Sequence, residues 1–263
     1  MTKTALLVTT FGSSYPDTVE KNILTLEKAL AQSFPDYRFY RAYTSVTIRK
    51  ILWERDHIKV DSVQEALDQI LSDGCNRILV QPSFLVSGLE FHRLKLALDA
   101  YRERFDWIKL GLPLLSPEAD LTGILTALKP DLDKSSEDVA LLYMGHGTQL
   151  ANDHVYQDLT NTFRQAGYKN AYIGTVEGKY GLDHVIPMLR EKNYTEIHLL
   201  PLMLVAGDHA RNDMIGDEPD SWRNVLTQQG WQVSYKLRGL GELPAIREIF
   251  VQRAKAAEDF PLK

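Results

Sequence analysis

The feature that most restricts the fold is an internal repetition of the sequence. Residues 5–13 (ALLVTTFGS) resemble residues 140–148 (ALLYMGHGT), and residues 82–90 (PSFLVSGLE) resemble residues 201–209 (PLMLVAGDH). The matched segments follow one another in the same order in both halves of the chain. Two matches in the same order indicate a duplicated unit, so each half is expected to fold in the same way.

The repetition predicts a domain boundary near the middle of the chain. We expect an N-terminal half at residues 1–130 and a C-terminal half at residues 131–263, separated in the polar segment 130–136 (PDLDKSS). A chain of 263 residues is long enough for a well-filled core. Because no stretch is rich enough in Gly, Ser or Pro to be a tether, we expect the halves to pack closely around one cleft.

Short apolar runs alternate with amphipathic stretches along the whole chain. The runs are nearly continuous in Val, Ile, Leu and Tyr, as strands buried on both faces of a parallel sheet are. This alternation predicts an α/β fold in which each half is a parallel four-stranded sheet flanked by helices, built from βαβ units with right-handed crossovers. The predicted strands are residues 5–10, 37–43, 77–81, 108–110, 139–144, 171–175, 196–200 and 233–237.

Helical periodicity lies between these strands. Val63 and Leu67 mark the apolar face of one predicted helix, for which Asp61 is the expected N-cap. Val185 lies on the apolar face of another, and Pro187 is expected in its first turn, where a missing N–H has no cost.

Composition and charge exclude several classes of function. The 30 basic and 35 acidic side chains give a net charge of −5, which argues against binding nucleic acid through bulk charge. The single cysteine, Cys75, excludes a disulfide framework and a zinc ribbon built from this chain alone. No apolar run approaches the roughly 18 residues of a membrane span, and the first one is too short for a signal peptide. We therefore expect a cytoplasmic protein that binds neither nucleic acid nor membrane.

Three metal-competent side chains follow three predicted strands of the second half. His146 lies between Gly145 and Gly147, Glu177 follows the strand at 171–175, and His209 follows an apolar run and a glycine. Ligands bind beyond the carboxyl ends of parallel strands, and two imidazoles with one carboxylate suit a first-row divalent ion.

Simpler roles remain open for each of these side chains. His146 could satisfy a turn, and Glu177 could be a solvated carboxylate. Asp208 could cap the next helix and leave His209 exposed in its first turn.

The repetition also predicts an asymmetric site. Phe11 takes the place of His146 in the first half, and Glu90 takes the place of His209. The metal-type side chains would then belong to the second half, whereas the first half would supply an aromatic wall and a carboxylate. Such a cleft suits a flat, partly apolar substrate.

Several segments resemble the anaerobic cobaltochelatases, which are class II tetrapyrrole chelatases. The similar segments are LVTTFGSSYPDT (7–18), MGHG (144–147), VEG (176–178) and LLPLMLVAGDHARNDM (199–214). The resemblance runs almost end to end, and the part at residues 201–214 is the most specific. Members of this family insert cobalt into sirohydrochlorin on the early-cobalt route to vitamin B12.

The resemblance implies a fold and a set of site residues. It implies two similar α/β halves around a cleft, with His146, Glu177 and His209 as metal ligands. His146 is also expected to be the catalytic base, and Glu90 is expected to be a second catalytic residue. The residues expected to contact the substrate are Phe11, Gly12, Ser13, Ser14, Phe84 and Asp208.

The same resemblance implies which small molecules bind. Co²⁺ is expected as a substrate rather than as a resident cofactor, with Fe²⁺ and Ni²⁺ as alternatives. No nucleotide is expected, because no Walker-type or Gly-x-Gly-x-x-Gly motif occurs. No haem is expected either, because Phe84 replaces a histidine that holds haem in some relatives. The candidates for binding the carboxylates of a tetrapyrrole are Arg49, Lys50, Arg93, Lys95, Lys179 and Arg211.

Other functions remain compatible with the sequence. A ferrochelatase or nickel chelatase acting on sirohydrochlorin or a porphyrin would use the same ligands. A tetrapyrrole or metal carrier without turnover would have a similar cleft, but it would not need a base. The sequence leaves homo-oligomerisation open.

Overall fold

The computed structural model describes residues 3–116, 121–148 and 154–261, which form two compact units. Unit 1 comprises Met1–Ser116 together with Ile246–Lys263, and unit 2 comprises Pro117–Ala245.

Secondary structure alternates along the chain as the sequence predicts. The strands are β1 (Lys3–Thr10), β2 (Arg38–Tyr43), β3 (Cys75–Pro82), β4 (Trp107–Leu110), β5 (Val139–Gly145), β6 (Ala171–Thr175), β7 (Glu196–Leu202), β8 (Gln232–Tyr235) and β9 (Glu258–Asp259). The α-helices are α1 (Pro16–Thr18), α2 (Thr25–Ser33), α3 (Val46–Asp56), α4 (Val63–Ser72), α5 (Leu89–Asp99), α6 (Leu121–Leu132), α7 (Val155–Gln165), α8 (Leu182–Arg190), α9 (Trp222–Gln228) and α10 (Pro244–Lys255). Two π-helical segments, Val19–Leu24 and Ala210–Met214, and two 3₁₀ turns, Arg102–Arg104 and Leu240–Glu242, complete the described elements. None of the described helices combines the length and the apolar character that crossing a membrane requires.

Each unit is built around one sheet. Unit 2 has four parallel strands in the order β6–β5–β7–β8. Unit 1 has the order β2–β1–β3–β4–β9, in which the first four strands are parallel and β9 pairs antiparallel with β4. The predicted α/β class is confirmed, and all eight predicted strands form within two residues of their expected ends. The four-stranded prediction is right for unit 2 and omits one short strand of unit 1.

The division into units differs from the boundary expected at residues 130 and 131. Pro130 lies inside α6, so the helix that connects the two sheets is grouped with unit 2. The C-terminal segment returns to unit 1, where β9 pairs with β4 and Phe260 packs against the core. Pairing of this kind between distant parts of the chain leaves no local signal in the sequence.

The two sheets share their backbone connections as well as their strand order. After the second strand of each unit, Thr44 N donates to Thr10 O (2.9 Å) and Val176 N donates to Gly145 O (3.0 Å). A second matched pair follows the third strand of each unit: Leu114 N to Phe84 O (3.0 Å) and Leu240 N to Met203 O (2.9 Å). The hydrogen bonds therefore match the residues that the sequence repetition aligns.

Two helices begin differently from what the sequence predicts. Ser62, rather than Asp61, caps α4: its hydroxyl accepts from Glu65 N, and the Glu65 carboxylate accepts from Ser62 N. This capping box satisfies two donors that Asp61, one residue earlier, does not reach. Helix α8 begins at Leu182, so Pro187 lies in its interior and not in its first turn. Both expectations about these residues are wrong.

Candidate active site

His146 lies directly beyond the carboxyl end of β5, the second strand in the order of the unit 2 sheet. It is exposed, and its Nδ1 atom lies 3.2 Å from the carbonyl oxygen of Gly147. Gly147 has a φ of +83°, and a Cβ atom there would lie 1.9 Å from the carbonyl oxygen of Glu177. Only glycine can occupy this position without moving the neighbouring loop.

Glu177 follows β6, which pairs with β5 in parallel register. Its backbone N–H donates to the carbonyl oxygen of His146 over 2.8 Å, and Val176 N–H donates to that of Gly145. The loops after the two strands are therefore joined directly beyond the sheet. The Glu177 side chain is exposed.

His209 follows β7, which pairs with β5 on its other side. The rings of His209 and His146 meet edge to face, with centroids 4.8 Å apart and an interplanar angle of 82°. His209 is the N-cap of the π-helical segment Ala210–Met214. Its Nδ1 atom lies 2.5 Å from Oδ2 of Asp213, so this carboxylate fixes the ring orientation and leaves Nε2 as the free nitrogen.

Asp213 follows His209 by four residues, and the apolar run and glycine that indicate His209 do not indicate this partner. The spacing of four residues on a helical segment is the signal that could have linked them, because such residues share one face.

The rings of the two histidines are in contact, and Glu177 is linked to His146 by a backbone hydrogen bond. Across residues 3–116, 121–148 and 154–261, no three side chains of His, Cys, Asp or Glu are arranged as a metal-binding cluster. The three-ligand set therefore stays a prediction, and completing it requires the Glu177 carboxylate to turn towards the imidazoles.

The corresponding residues of unit 1 lie at the carboxyl edge of its own sheet. Phe11 follows β1 and is 49% exposed. Gly12 has a φ of +99°, and a Cβ atom there would lie 2.5 Å from the ring of Tyr43. Ser45 N donates to Phe11 O (3.2 Å) as Glu177 N donates to His146 O, so Ser45 is the counterpart of Glu177.

Glu90 lies in the first turn of α5, where the helix dipole favours a carboxylate. Its Oε1 atom accepts a hydrogen bond from Arg93 (2.8 Å), and the side chain is 22% exposed. The Oε2 atom is buried and has no hydrogen-bond partner among the described residues. This oxygen is able to accept a proton or a hydrogen bond.

The remaining expected substrate contacts differ in their exposure. Asp208 is exposed and accepts from Asn212 Nδ2 (2.9 Å), and Ser14 is half-buried. The Ser13 hydroxyl is buried and hydrogen-bonded to Thr18 Oγ1 (2.8 Å), and Phe84 belongs to the core of unit 1. Ser13 and Phe84 are therefore engaged within the protein, and their role towards a substrate stays a prediction.

Two solved structures share this fold over nearly the whole chain. The structure "SirB from Bacillus subtilis with Fe3+" matches with a TM-score of 0.68 and 15% identity, over 96% of this chain and 94% of that chain. The structure of CbiX, "the terminal Enzyme for Biosynthesis of Siroheme in Denitrifying Bacteria", matches with a TM-score of 0.54 and 18% identity, over 97% and 99%. The fold is therefore that of the class II chelatases.

Sequence comparison narrows the class. The chain matches the cobalt chelatase (CbiK) family over residues 4–259. It is 38% identical to the sirohydrochlorin cobaltochelatase of Salmonella typhimurium, over 95% of this chain and 94% of that protein. It is 30% identical to the sirohydrochlorin cobaltochelatase CbiKC of Nitratidesulfovibrio vulgaris, over 98% and 91%. The chain belongs to the cobalt chelatase family, as its motifs indicate.

Proposed function

We propose that this chain inserts Co²⁺ into sirohydrochlorin without ATP, in the early-cobalt pathway to cobalamin. Membership of the cobalt chelatase family supports the metal and the reaction, and the names of the two relatives support the tetrapyrrole. The observation that carries the proposal is the edge-to-face pair of His146 and His209 beyond neighbouring parallel strands, with Asp213 fixing one of the rings.

The metal ion is a substrate, so its site must release it. His146, Glu177 and His209 are proposed as its ligands, with two neutral imidazoles and one negative charge. Three ligands leave coordination positions open, so ring nitrogens enter before the protein ligands leave. The exposed Glu177 side chain is free to turn towards the ion and away from it, while the backbone of its loop stays hydrogen-bonded to His146.

Insertion of a divalent ion releases two pyrrole protons, and the site needs a base. A neutral imidazole with an ordinary pKa of about 6.5 accepts a proton near neutral pH. With the His146 proton on Nδ1, next to Gly147 O, the lone pair of Nε2 serves the metal or the leaving proton. Glu90, with one unpaired carboxylate oxygen, is proposed to move protons away or to orient the ring.

The three proposed ligands do not by themselves separate cobalt insertion from the closely related reactions with other metals. A His–Glu–His set does not distinguish Co²⁺ from Fe²⁺ or Ni²⁺, because divalent affinities follow the metal more than the site. Neither a nucleotide nor haem is part of the proposal. Cytoplasmic location stays a prediction, and no oligomeric state is part of the proposal.

An anaerobic absorbance assay tests the proposal. Protein is mixed with a large excess of sirohydrochlorin and Co²⁺, and the spectrum of the metallated ring is followed against a protein-free control. We expect many turnovers per chain. A change that stops at one equivalent identifies a carrier, and faster turnover with Fe²⁺, Ni²⁺ or protoporphyrin IX identifies one of the other chelatases.

A further inference from the structure

The two units differ in one segment at the carboxyl edge of the sheet. In unit 2, Thr175 N at the end of β6 bonds to Tyr180 O (2.8 Å), and α8 begins two residues later. In unit 1, Tyr43 N at the end of β2 bonds to Asp61 O (2.9 Å), and α4 begins two residues later. The segment between these matched bonds is the short Glu177 loop in unit 2, whereas in unit 1 it contains α3. Helix α3 is therefore an insertion relative to the other copy.

The insertion lies on the sheet edge where ligands of parallel sheets bind. The inserted segment begins after Tyr43, at the carboxyl end of β2, and returns to this end at Asp61, whose carbonyl oxygen accepts a hydrogen bond from Tyr43 N. Near its far end, Arg55 Nη2 donates to Ser14 O (2.5 Å), in the loop that follows β1. Helix α3 therefore stays beside the loop of Phe11 and does not serve as the crossover helix, which is α4.

One face of α3 lines a cavity of about 350 Å³. Residues at positions 46, 49, 50 and 53 share this face, because they are spaced by three, four and seven along the helix. Lys59, Val60 and Glu65 close the other side. Val46 is 69% exposed and Trp53 is 57% exposed, so the cavity presents apolar surface to solvent.

The same cavity carries an excess of positive charge, and the ion pairs of its basic side chains with the protein's own carboxylates are weak. Arg49, Lys50 and Lys59 line it, against Glu65 as the acidic member. The Arg49 to Glu65 pair is long (3.4 Å), and Glu65 is already the capping partner of Ser62. Lys59 pairs with Asp61 (3.4 Å) and Lys50 pairs with Glu54 (3.8 Å), and long ion pairs of this kind at the protein surface contribute little.

Arg49 provides a separate indication that an acceptor is missing. Its side chain is 24% exposed, and its Nε atom is buried without a hydrogen-bond acceptor among the described residues. A buried guanidinium donor left unpaired is costly, and a carboxylate bound in the cavity would supply the acceptor once the Arg49 side chain turns Nε towards it.

We propose that this cavity, which we call the α3 pocket, binds a carboxylate-bearing edge of the tetrapyrrole. Arg49, Lys50 and Lys59 pair with side-chain carboxylates of the ring, and the Trp53 indole packs against its apolar surface. The inference rests on the proposed function for the identity of the ligand. The insertion of α3 gives unit 1 a substrate-holding surface, whereas the short loop of unit 2 presents Glu177 to the metal.

Binding of metal-free sirohydrochlorin, measured anaerobically by absorbance titration, tests the α3 pocket separately from turnover. We expect Arg49→Gln and Trp53→Ala each to raise the Kd about tenfold, as the loss of one charge-assisted hydrogen bond or one stacked ring does. Two variants of exposed residues elsewhere in unit 1 serve as controls, Lys28→Gln and Leu96→Ala, and they should bind as wild type. Lys59→Gln changes a cation on the opposite side of the pocket and should weaken binding severalfold. This variant tests the pocket if Arg49→Gln does not fold. Circular dichroism shows whether each variant is folded.

The ligand chemistry and the proposed function are separated by further arms of the experiment. The effect of Arg49→Gln should be smaller with protoporphyrin IX, which carries fewer carboxylates, and an equal loss with both rings would overturn the charge pairing. If wild type turns over and the pocket variants bind like the controls, the α3 pocket is refuted and the proposed function stands. If the variants lose affinity but wild type shows no turnover, the pocket stands and the proposed function fails.

Discussion

Substitution of Gly147 by alanine tests the junction that holds His146 against Glu177. Alanine at a φ of +83° adds backbone strain of about 1–2 kcal/mol. Its Cβ atom would also lie 1.9 Å from Glu177 O and 2.8 Å from Glu177 C, which are backbone atoms and cannot rotate away. The loops must separate, and the 2.8 Å hydrogen bond from Glu177 N to His146 O is lost, at a further cost of about 1 kcal/mol. We expect a total loss of stability of about 2–3 kcal/mol.

A matched control isolates the contact from the strain. Gly167 lies in the same unit with a φ of +97°, and an added Cβ atom would meet nothing within 4 Å. Gly167→Ala should therefore lose only the strain term, about 1–2 kcal/mol, and keep full activity.

Urea unfolding and the rate of cobalt insertion together provide the assay. Because the shift of the loops displaces His146 relative to the other proposed ligands, Gly147→Ala should lower kcat/KM about 100-fold among the molecules that remain folded. Equal stability and equal activity of the two variants would refute the reasoning, since the contact with Glu177 O would then have no consequence.

Three further predictions address other parts of the structure. Asp213→Ala should weaken Co²⁺ binding by His209 about 10–100-fold in a calorimetric titration, and Asp213→Asn should weaken it less because the amide oxygen still accepts from Nδ1. Burial lowers the pKa of His198, so its neutral form stabilises the fold above the unfolded pKa of about 6.5, and this contribution is lost as the pH falls below that value. Urea unfolding at pH 7.5 and 5.5 should show a smaller pH dependence for His198→Gln than for wild type. Ser62→Ala should lower the unfolding free energy by about 1 kcal/mol in the same assay, whereas Asp61→Ala should change it less, because Ser62 is the N-cap.

The parallel strands were predictable because their signal is local. A strand such as β5 is buried along nearly its whole length, so its apolar run appears directly in the sequence. The two-residue strand β9 has no such run, since both its residues are exposed and it forms only because the chain end returns to β4. The expected boundary at residue 130 fell inside α6 for the same reason: which unit a helix joins depends on packing between distant residues.

The candidate site was predictable in its positions and less so in its partners. The ends of β5, β6 and β7 indicated His146, Glu177 and His209, because parallel strands present their carboxyl ends at one edge. The pairing of Asp213 with His209 depends on a π-helical segment, whose geometry the local pattern does not indicate. The insertion of α3 was not predictable, because it is defined by backbone hydrogen bonds at corresponding positions of the two units.

The most direct test of the account is the rate of cobalt insertion into sirohydrochlorin by His146→Ala, measured anaerobically beside wild type. The variant lacks both a proposed metal ligand and the proposed base, so we expect its kcat to fall at least 100-fold, as removal of a general base does. The control His154→Ala, a half-exposed histidine of the same unit, should keep the wild-type rate. Cobalt insertion by His146→Ala at the wild-type rate would contradict the account.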